Sequence, residues 1–259
     1  MIFKGTEQNL HSDTATAVLL AREQLRTGQW FPSSWNYGQD IWVLSLNLLV
    51  LPFLAILKDM VLSRQLAVVV QTMIIIVLVY QFVRRIASKE AGLLAAVAAV
   101  VPISASVTEY YFYQATYNSQ GLEMLVAFLL LYELIEKKCS RRKFLALNGL
   151  LMLWMVNLNS NGPRYLAVLI VPMLCAIALY VLIHTQFDII RCFKEYKKYV
   201  IEIAVICAGT VLGLVVYVFL CGHLNYFPGQ VEMSFVTAKE AANRILALLS
   251  SYFTLYGAA

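Results

Sequence analysis

The stretch MVLSRQLAVVVQTMIIIVLVYQFV, residues 60–83, decides the fold of this chain, because it is apolar over a length that crosses a bilayer as a helix. Only helices or closed barrels satisfy backbone polar groups in lipid, and the sequence lacks the alternating pattern of a membrane barrel. The fold class predicted is therefore all-α, a polytopic transmembrane helical bundle. Five further apolar runs predict spanning helices at 91–108, 120–135, 144–157, 164–183 and 199–221.

The composition also indicates a membrane protein, since 61% of the 259 residues are hydrophobic and only 14% are charged. The formal net charge of +5 comes mostly from Lys and Arg in short loops, which indicates membrane topology rather than a nucleic-acid surface. We expect membrane lipid as a partner and no nucleic acid. The five cysteines form no CxxC motif and predict neither a disulfide framework nor a zinc site.

The distribution of Lys and Arg predicts which loops face the cytoplasm. The loops at 109–119 and 158–163 contain neither residue, so we expect them, and the segment 222–259, on the external side. The protein is then a multi-pass protein of the cell membrane with an extracytoplasmic active face. Three loops concentrate the positive charge and are predicted to be cytoplasmic: Arg84, Arg85 and Lys89; Lys137, Lys138, Arg141, Arg142 and Lys143; Arg191, Lys194, Lys197 and Lys198.

The segment 41–57 has two interpretations. It has 17 residues and contains Asn47 and Pro52, so a re-entrant or interfacial hairpin is favoured over a full crossing, which would move residues 1–40 into the cytoplasm. With a hairpin, residues 1–59 form one external loop, 60–221 hold about six transmembrane helices, and 222–259 are an external segment. All three parts belong to a single membrane domain, 1–259.

Residues 12–28 predict an amphipathic helix in the first external loop. Ser12 or Asp13 is a suitable N-cap, and Gly28 is a suitable stop. Such a helix lies in the plane of the interface, and the aromatic residues that follow it are typical of the headgroup region. The apolar face predicted contains Ala17, Val18, Ala21 and Leu25, and the polar face contains Arg22, Glu23 and Arg26.

Two motifs resemble those of the GT-C glycosyltransferases, which include the protein O-mannosyltransferases and the lipid A aminoarabinose transferases. The first is an acidic residue, a flat A-x-x-L-x-x-G helix and a W-x-x-G segment, here Asp13, Ala21, Leu25, Gly28, Trp35 and Gly38. The second is similar to the family's K-G-P followed by an apolar run with a proline, here Gly162, Pro163 and Pro172. The family has Asp-Glu where this chain has Asp13-Thr14, and Lys where it has Asn161.

The resemblance implies transfer of a sugar from a polyprenyl-phosphate-linked donor to a cell-envelope acceptor. Asp13 would be the catalytic base, while Glu109, the acidic residue of the second external loop, and Arg164, which would compensate the leaving phosphate, would bind substrate. No metal-ligand spacing requires a cofactor; a divalent metal held by Asp13, Glu109 and His11 is the alternative to Arg164. Because the family has a helix before its acidic residue, we expect the chain to be partial.

Each of these residues also has a structural interpretation. Asp13 is a helix cap, Glu109 is a solvated helix flank and Arg164 snorkels to the interface. Two other functions stay open: a membrane transporter or flippase, and a non-catalytic truncated relative. The sequence also places carboxylates in or beside predicted spanning helices, where they are costly: Glu123 and Glu133, for which pairing with a loop Lys or hydration is expected, and Glu202.

Overall fold

A computed structural model describes residues 12–38, 40–41, 43–101, 108–136, 140–188, 190, 194, 196–227, 240, 244–245, 247 and 251, with the side chains of 12, 13, 116 and 136 excepted. Within this part the chain is helical, and its one pairing of extended segments is an isolated bridge between Tyr37 and Tyr226. The helices are α1 (Ser12–Thr27), α2 (Leu46–Leu57), α3 (Met60–Ile86), α4 (Lys89–Ala98), α5 (Thr116–Glu136), α6 (Arg141–Ser160), α7 (Val171–His184) and α8 (Lys197–His223). Two π-helical segments, Thr108–Tyr113 and Leu166–Ile170, precede α5 and α7.

Three of the described helical segments are long and apolar enough to cross a membrane: Met60–Ile86, Leu166–His184 and Lys197–His223. They coincide with three of the predicted spanning helices. The predicted helix at 91–108 is shorter than expected, because α4 ends at Ala98. The sequence has Pro102 inside that prediction, and proline cannot supply the N–H that would continue the helix.

The segment at 41–57 forms a helix, α2, that has only 12 residues. At 1.5 Å per residue it is about 18 Å long, against the ~30 Å of a hydrocarbon core. Lys58 closes α2 in a left-handed conformation at φ 57°, and the Asp59 carboxylate accepts a hydrogen bond of 2.9 Å from the Leu62 N–H at the start of α3. This tight connection packs α2 against α3, and the short length favours the re-entrant interpretation.

The chain separates into two compact units. The first contains residues 1–32, 45–122 and 228–259, and in it α1 packs on α2 and α3, which in turn contact each other. α1 ends as predicted: Gly28 has φ +68°, and its N–H donates to the Gln24 carbonyl at 2.9 Å.

Of the residues predicted to form the apolar face of α1, Ala17, Val18 and Ala21 are buried, whereas 44% of the Leu25 surface is exposed. The buried face continues through Gln24 instead. The Gln24 side chain donates to the Trp30 carbonyl at 2.8 Å and accepts from Asn47 at 3.2 Å. These hydrogen bonds satisfy the Gln24 side-chain amide, so that this polar residue can occupy a buried position.

The second unit contains residues 33–44 and 123–227, and its main helix contact joins α6 to α8. Gly209 and Gly213 of α8 lie directly on α6: a Cβ at Gly209 would be 2.7 Å from Met155 Cβ, and one at Gly213 would be 2.7 Å from the Val156 carbonyl oxygen. Small residues four apart let two helix backbones approach closely in this way. The core around this contact is apolar and includes Leu151, Met155, Leu158, Leu169 and Ile206.

Candidate functional site

Arg64 is the centre of a buried junction in the first unit. It lies in the second turn of α3 and is completely buried. Its Nε donates to the Thr14 carbonyl oxygen at 2.6 Å, and its Nη2 donates to the carbonyl oxygens of Tyr113 and Gln114, the latter at 3.2 Å. One guanidinium thus joins the first turn of α1 to the end of the π-helical segment at 108–113.

Two of the predicted site residues belong to the segments that Arg64 joins. Asp13 precedes Thr14 in the chain, but its side chain lies outside the described residues. Glu109 lies in the π-helical segment and interacts electrostatically with the Arg64 guanidinium. The structure therefore brings together the first turn of α1 and the Glu109 segment.

Sequence reasoning missed Arg64 because the apolar run around it dominates the hydropathy of α3. A signal was nevertheless present: Arg64 and Gln71 are seven residues apart and so share one face of a helix. Gln71 is buried as well, and its amide donates to the hydroxyl of Ser119. A polar pair at this spacing in a membrane helix predicts a face that is turned toward protein rather than lipid.

Arg164, predicted as the phosphate partner, forms an ion pair in the second unit. Its Nη1 lies 3.1 Å from Oδ2 of Asp40, and the two side chains are 36% and 27% exposed. Sequence reasoning missed Asp40, which follows the W-x-x-G motif by two residues. The pair joins the segment 33–44 to the turn between α6 and α7, and it partly opens to solvent.

Asn161 holds the segment next to Asp40 in place. Its carbonyl oxygen accepts from the Ile41 N–H at 3.2 Å, and its side-chain Oδ1 accepts from the Val43 N–H at 2.6 Å. A lysine at this position would offer no acceptor for the Val43 N–H, so the contact requires a side-chain oxygen.

A second carboxylate, Glu123, faces this ion pair. Glu123 is buried and accepts a hydrogen bond from the Tyr165 hydroxyl, while its main-chain oxygen accepts from the Trp154 indole N–H at 2.9 Å. Asp40 interacts electrostatically with both Glu123 and Tyr165. The expected pairing of Glu123 with a loop lysine was wrong: its partner is Tyr165.

Burial shifts the pKa values of two groups in this segment, Asp40 and Tyr37. Burial raises the pKa of Asp40, and the positive charge of Arg164 opposes that effect by lowering it. Burial also raises the pKa of Tyr37, to about 12, so that this phenol is neutral at physiological pH. The cluster of Asp40, Arg164, Glu123 and Tyr165, which we call the Asp40–Arg164 site, can hold an anion on the guanidinium and can exchange a proton at a carboxylate.

The remaining carboxylates have different surroundings. Glu133 lies 3.7 Å from the Lys143 Nζ, which confirms the expected pairing with a loop lysine. Glu202 is completely buried in α8, and neither of its oxygens makes a hydrogen bond of standard geometry. Asn148 of α6 and the positive charge of Lys198 both interact with it. Among the described residues, no group of three or more His, Cys, Asp or Glu side chains could hold a metal ion. The alternative with Asp13 and His11 involves side chains outside that part.

The part of the chain that the structure describes is helical, with three segments long and apolar enough to cross a membrane. It has a buried ionic junction in the first unit and a partly exposed ionic cluster in the second. No family model, no curated protein and no solved structure matches the chain.

Proposed function

We propose that the protein is a multi-pass membrane glycosyltransferase of the GT-C type, which moves a sugar from a polyprenyl-phosphate-linked donor to a cell-envelope acceptor on the extracytoplasmic face. The observation that carries the proposal is the Arg64 junction. It joins the first turn of α1, where Asp13 lies, to the segment of Glu109, so the two segments that carry the predicted acidic residues meet at Arg64. A buried arginine in a membrane helix is costly and favours a functional role.

In this proposal the reaction is a single displacement at the anomeric carbon. The Asp13 carboxylate accepts the proton of the acceptor hydroxyl, whose oxygen then forms the new glycosidic bond. The bond between the anomeric carbon and the phosphate oxygen breaks, and polyprenyl phosphate leaves with the bonding electrons. The resemblance gives Arg164 the role of pairing with the leaving phosphate, because a guanidinium fork matches the phosphate oxygens.

The test is the release of polyprenyl phosphate by the purified full chain supplied with a polyprenyl-phosphate sugar and an envelope acceptor. We expect Asp13→Asn to abolish release. Asparagine caps a helix about as well as aspartate, so a loss of activity would not come from a lost cap. The matched control is Asp59→Asn, which changes the acidic cap of α3 and should keep full activity. Release that persists in Asp13→Asn would contradict the role of this base.

A transporter or flippase is the second candidate, and Glu202 is the observation that favours it. A buried carboxylate between two helices, with no standard hydrogen bond, is typical of ion and proton pathways. Reconstituted vesicles separate the two functions: movement of lipid-linked sugar between leaflets without release of polyprenyl phosphate supports the transporter. Neither release nor movement supports a non-catalytic relative.

A further inference from the structure

The Asp40–Arg164 ion pair has the geometry of a contact that another anion can replace. It is a single Nη1–Oδ2 contact at 3.1 Å, and both side chains are partly exposed. A guanidinium has five N–H donors, and its strongest pairs with carboxylate or phosphate use two parallel hydrogen bonds. The contact with Asp40 therefore leaves N–H donors of the Arg164 guanidinium for an anion that accepts two parallel hydrogen bonds.

Asp40 can release Arg164 without any change in the loop that carries it. The backbone beside Asp40 is fixed by the hydrogen bonds from Ile41 and Val43 to Asn161, at 3.2 and 2.6 Å. Ile41 is also completely buried. A rotation of the Asp40 side chain then makes the Arg164 guanidinium accessible to another anion. Because this segment is already ordered in the folded protein, binding does not require a further loss of backbone entropy there.

Glu123 does not substitute for Asp40 as the counter-ion, because its Oε2 accepts the hydrogen bond from Tyr165. It interacts electrostatically with Asp40 but supplies no positive charge to it. Once Arg164 turns to another anion, Asp40 lies beside Glu123 and Tyr165 in a largely buried position without a cation. A carboxylate in such surroundings favours its protonated form.

We propose that Arg164 is a binding site for a phosphate group and that Asp40 is its exchangeable counter-ion: phosphate displaces the Asp40 carboxylate, which takes up a proton from solvent. The exchange is balanced, since one anion replaces another on Arg164 and one proton neutralises the carboxylate that leaves. The proposal rests on the proposed function for the identity of the donor, whose phosphate is the natural ligand. The chemistry is shared by a lipid phosphate and by free phosphate.

The direction of the pH dependence follows from the groups that face Asp40, namely Arg164, Glu123 and Tyr165. In the free protein the charge of Arg164 lowers the pKa of Asp40. Bound phosphate removes that influence and adds negative charge, so the pKa of Asp40 is higher in the complex. Binding that raises a pKa is tighter at lower pH, and we expect the affinity for phosphate to fall as the pH rises.

Titration calorimetry of the purified full chain in detergent tests the exchange without any turnover. Inorganic phosphate and a short-chain polyprenyl phosphate are titrated separately, each in two buffers of different ionisation enthalpy, so that proton uptake is measured with affinity. We expect uptake of up to one proton by the wild type. Arg164→Gln should lose binding more than tenfold, and Asp40→Asn should bind about fivefold tighter, the upper range for a partly exposed ion pair.

Proton uptake should also decrease in Asp40→Asn, and this difference removes the contribution of the phosphate's own ionisation, which both proteins share. The matched control is Glu23→Gln, which breaks the exposed pair with Arg26 at 2.6 Å and should change neither quantity. Binding of polyprenyl phosphate alone identifies the lipid carrier as the source, and equal binding of both identifies a general phosphate site.

The proposal is overturned if Arg164→Gln binds phosphate as the wild type does, or if Glu123→Gln rather than Asp40→Asn removes the proton uptake. Should Asp40→Asn not fold, wild-type binding without proton uptake overturns it equally. Its failure is distinct from failure of the proposed function. If phosphate exchange is observed without glycosyl transfer, this inference is supported and the proposed function is not. If glycosyl transfer is observed without proton-linked exchange, the proposed function is supported and this inference is not.

Discussion

Arg64 shows how much one side chain contributes when it is buried in a membrane helix. It supplies hydrogen bonds to main-chain oxygens of Thr14, Tyr113 and Gln114, none of which belongs to its own helix. Charged donors to buried carbonyls contribute more than neutral ones, and a carbonyl that loses its donor in a buried site keeps the full cost of desolvation. The contacts of this residue therefore help to hold α1 on α3.

Replacing Arg64 by Gln should destabilise the protein by about 3 kcal/mol or more, because several buried carbonyls lose a charged donor. Thermal unfolding in detergent measures the effect as a lower Tm. The matched control on the same helix is Arg84→Gln, which removes only an exposed stacking contact 5.3 Å from the Tyr80 ring and should cost about 0.5–1 kcal/mol. Equal decreases of Tm in the two variants would show that the buried hydrogen bonds of Arg64 add no more stability than the exposed contact of Arg84.

At the scale of the element, α8 combines a membrane-length apolar sequence with two glycines that decide its packing. Gly209 and Gly213 leave no space for a side chain against α6, whereas Gly222 on the same helix has open space around it. The apolar sequence makes the segment a helix in lipid, but it does not determine which helix packs against it. The close approach at Gly209 and Gly213 determines that this helix is α6.

Gly213→Ala should destabilise the contact between α6 and α8 by about 1–3 kcal/mol, since the added methyl must displace the Val156 carbonyl and the Asn159 Cβ, 2.7 and 2.8 Å from it. Gly222→Ala makes the same chemical change in open space and should be neutral or slightly stabilising. Thermal unfolding of both variants gives the comparison. A Gly213→Ala protein as stable as Gly222→Ala would mean that the two helices separate at no cost.

Sequence patterns predicted the elements better than the sites. The α1 helix, its Gly28 stop and the three long apolar helices could be predicted because hydrophobic runs and capping residues act locally. The end of α4 was missed because the run of apolar residues outweighed Pro102. Asp40 and Arg164 lie far apart in the chain, so no local pattern shows that they pair. The same holds for Arg64 and its carbonyl partners.

For the whole molecule, the basic loops predict on which side of the membrane each end of α8 lies. Its 27 residues give a length of about 40 Å, so the helix is long enough for Lys197 and His223 to lie on opposite sides of a bilayer. Under the positive-inside rule, the basic loop before α8 predicts that Lys197 lies in the cytoplasm. The same prediction puts His223 on the external side.

Single cysteines at these two positions test that topology in intact cells, on a background without the native cysteines. We expect His223→Cys to react with a membrane-impermeant reagent and Lys197→Cys to react only after lysis, because the bilayer shields the cytoplasmic end. Both side chains are exposed, so reactivity reports the side of the membrane rather than burial in protein. The opposite pattern would invert the orientation and place the proposed site away from an external acceptor.

The order in which the chain is made gives the Arg64 junction a further consequence. Thr14 is synthesised before Arg64, but Tyr113 and Gln114 follow it by 49 and 50 residues. When α3 is synthesised, only the Thr14 carbonyl is available to accept a hydrogen bond from the Arg64 guanidinium. Water or another protein must accept its remaining hydrogen bonds until Tyr113 and Gln114 follow. The hydrogen bonds of this guanidinium are therefore complete only after the 108–114 segment has been synthesised.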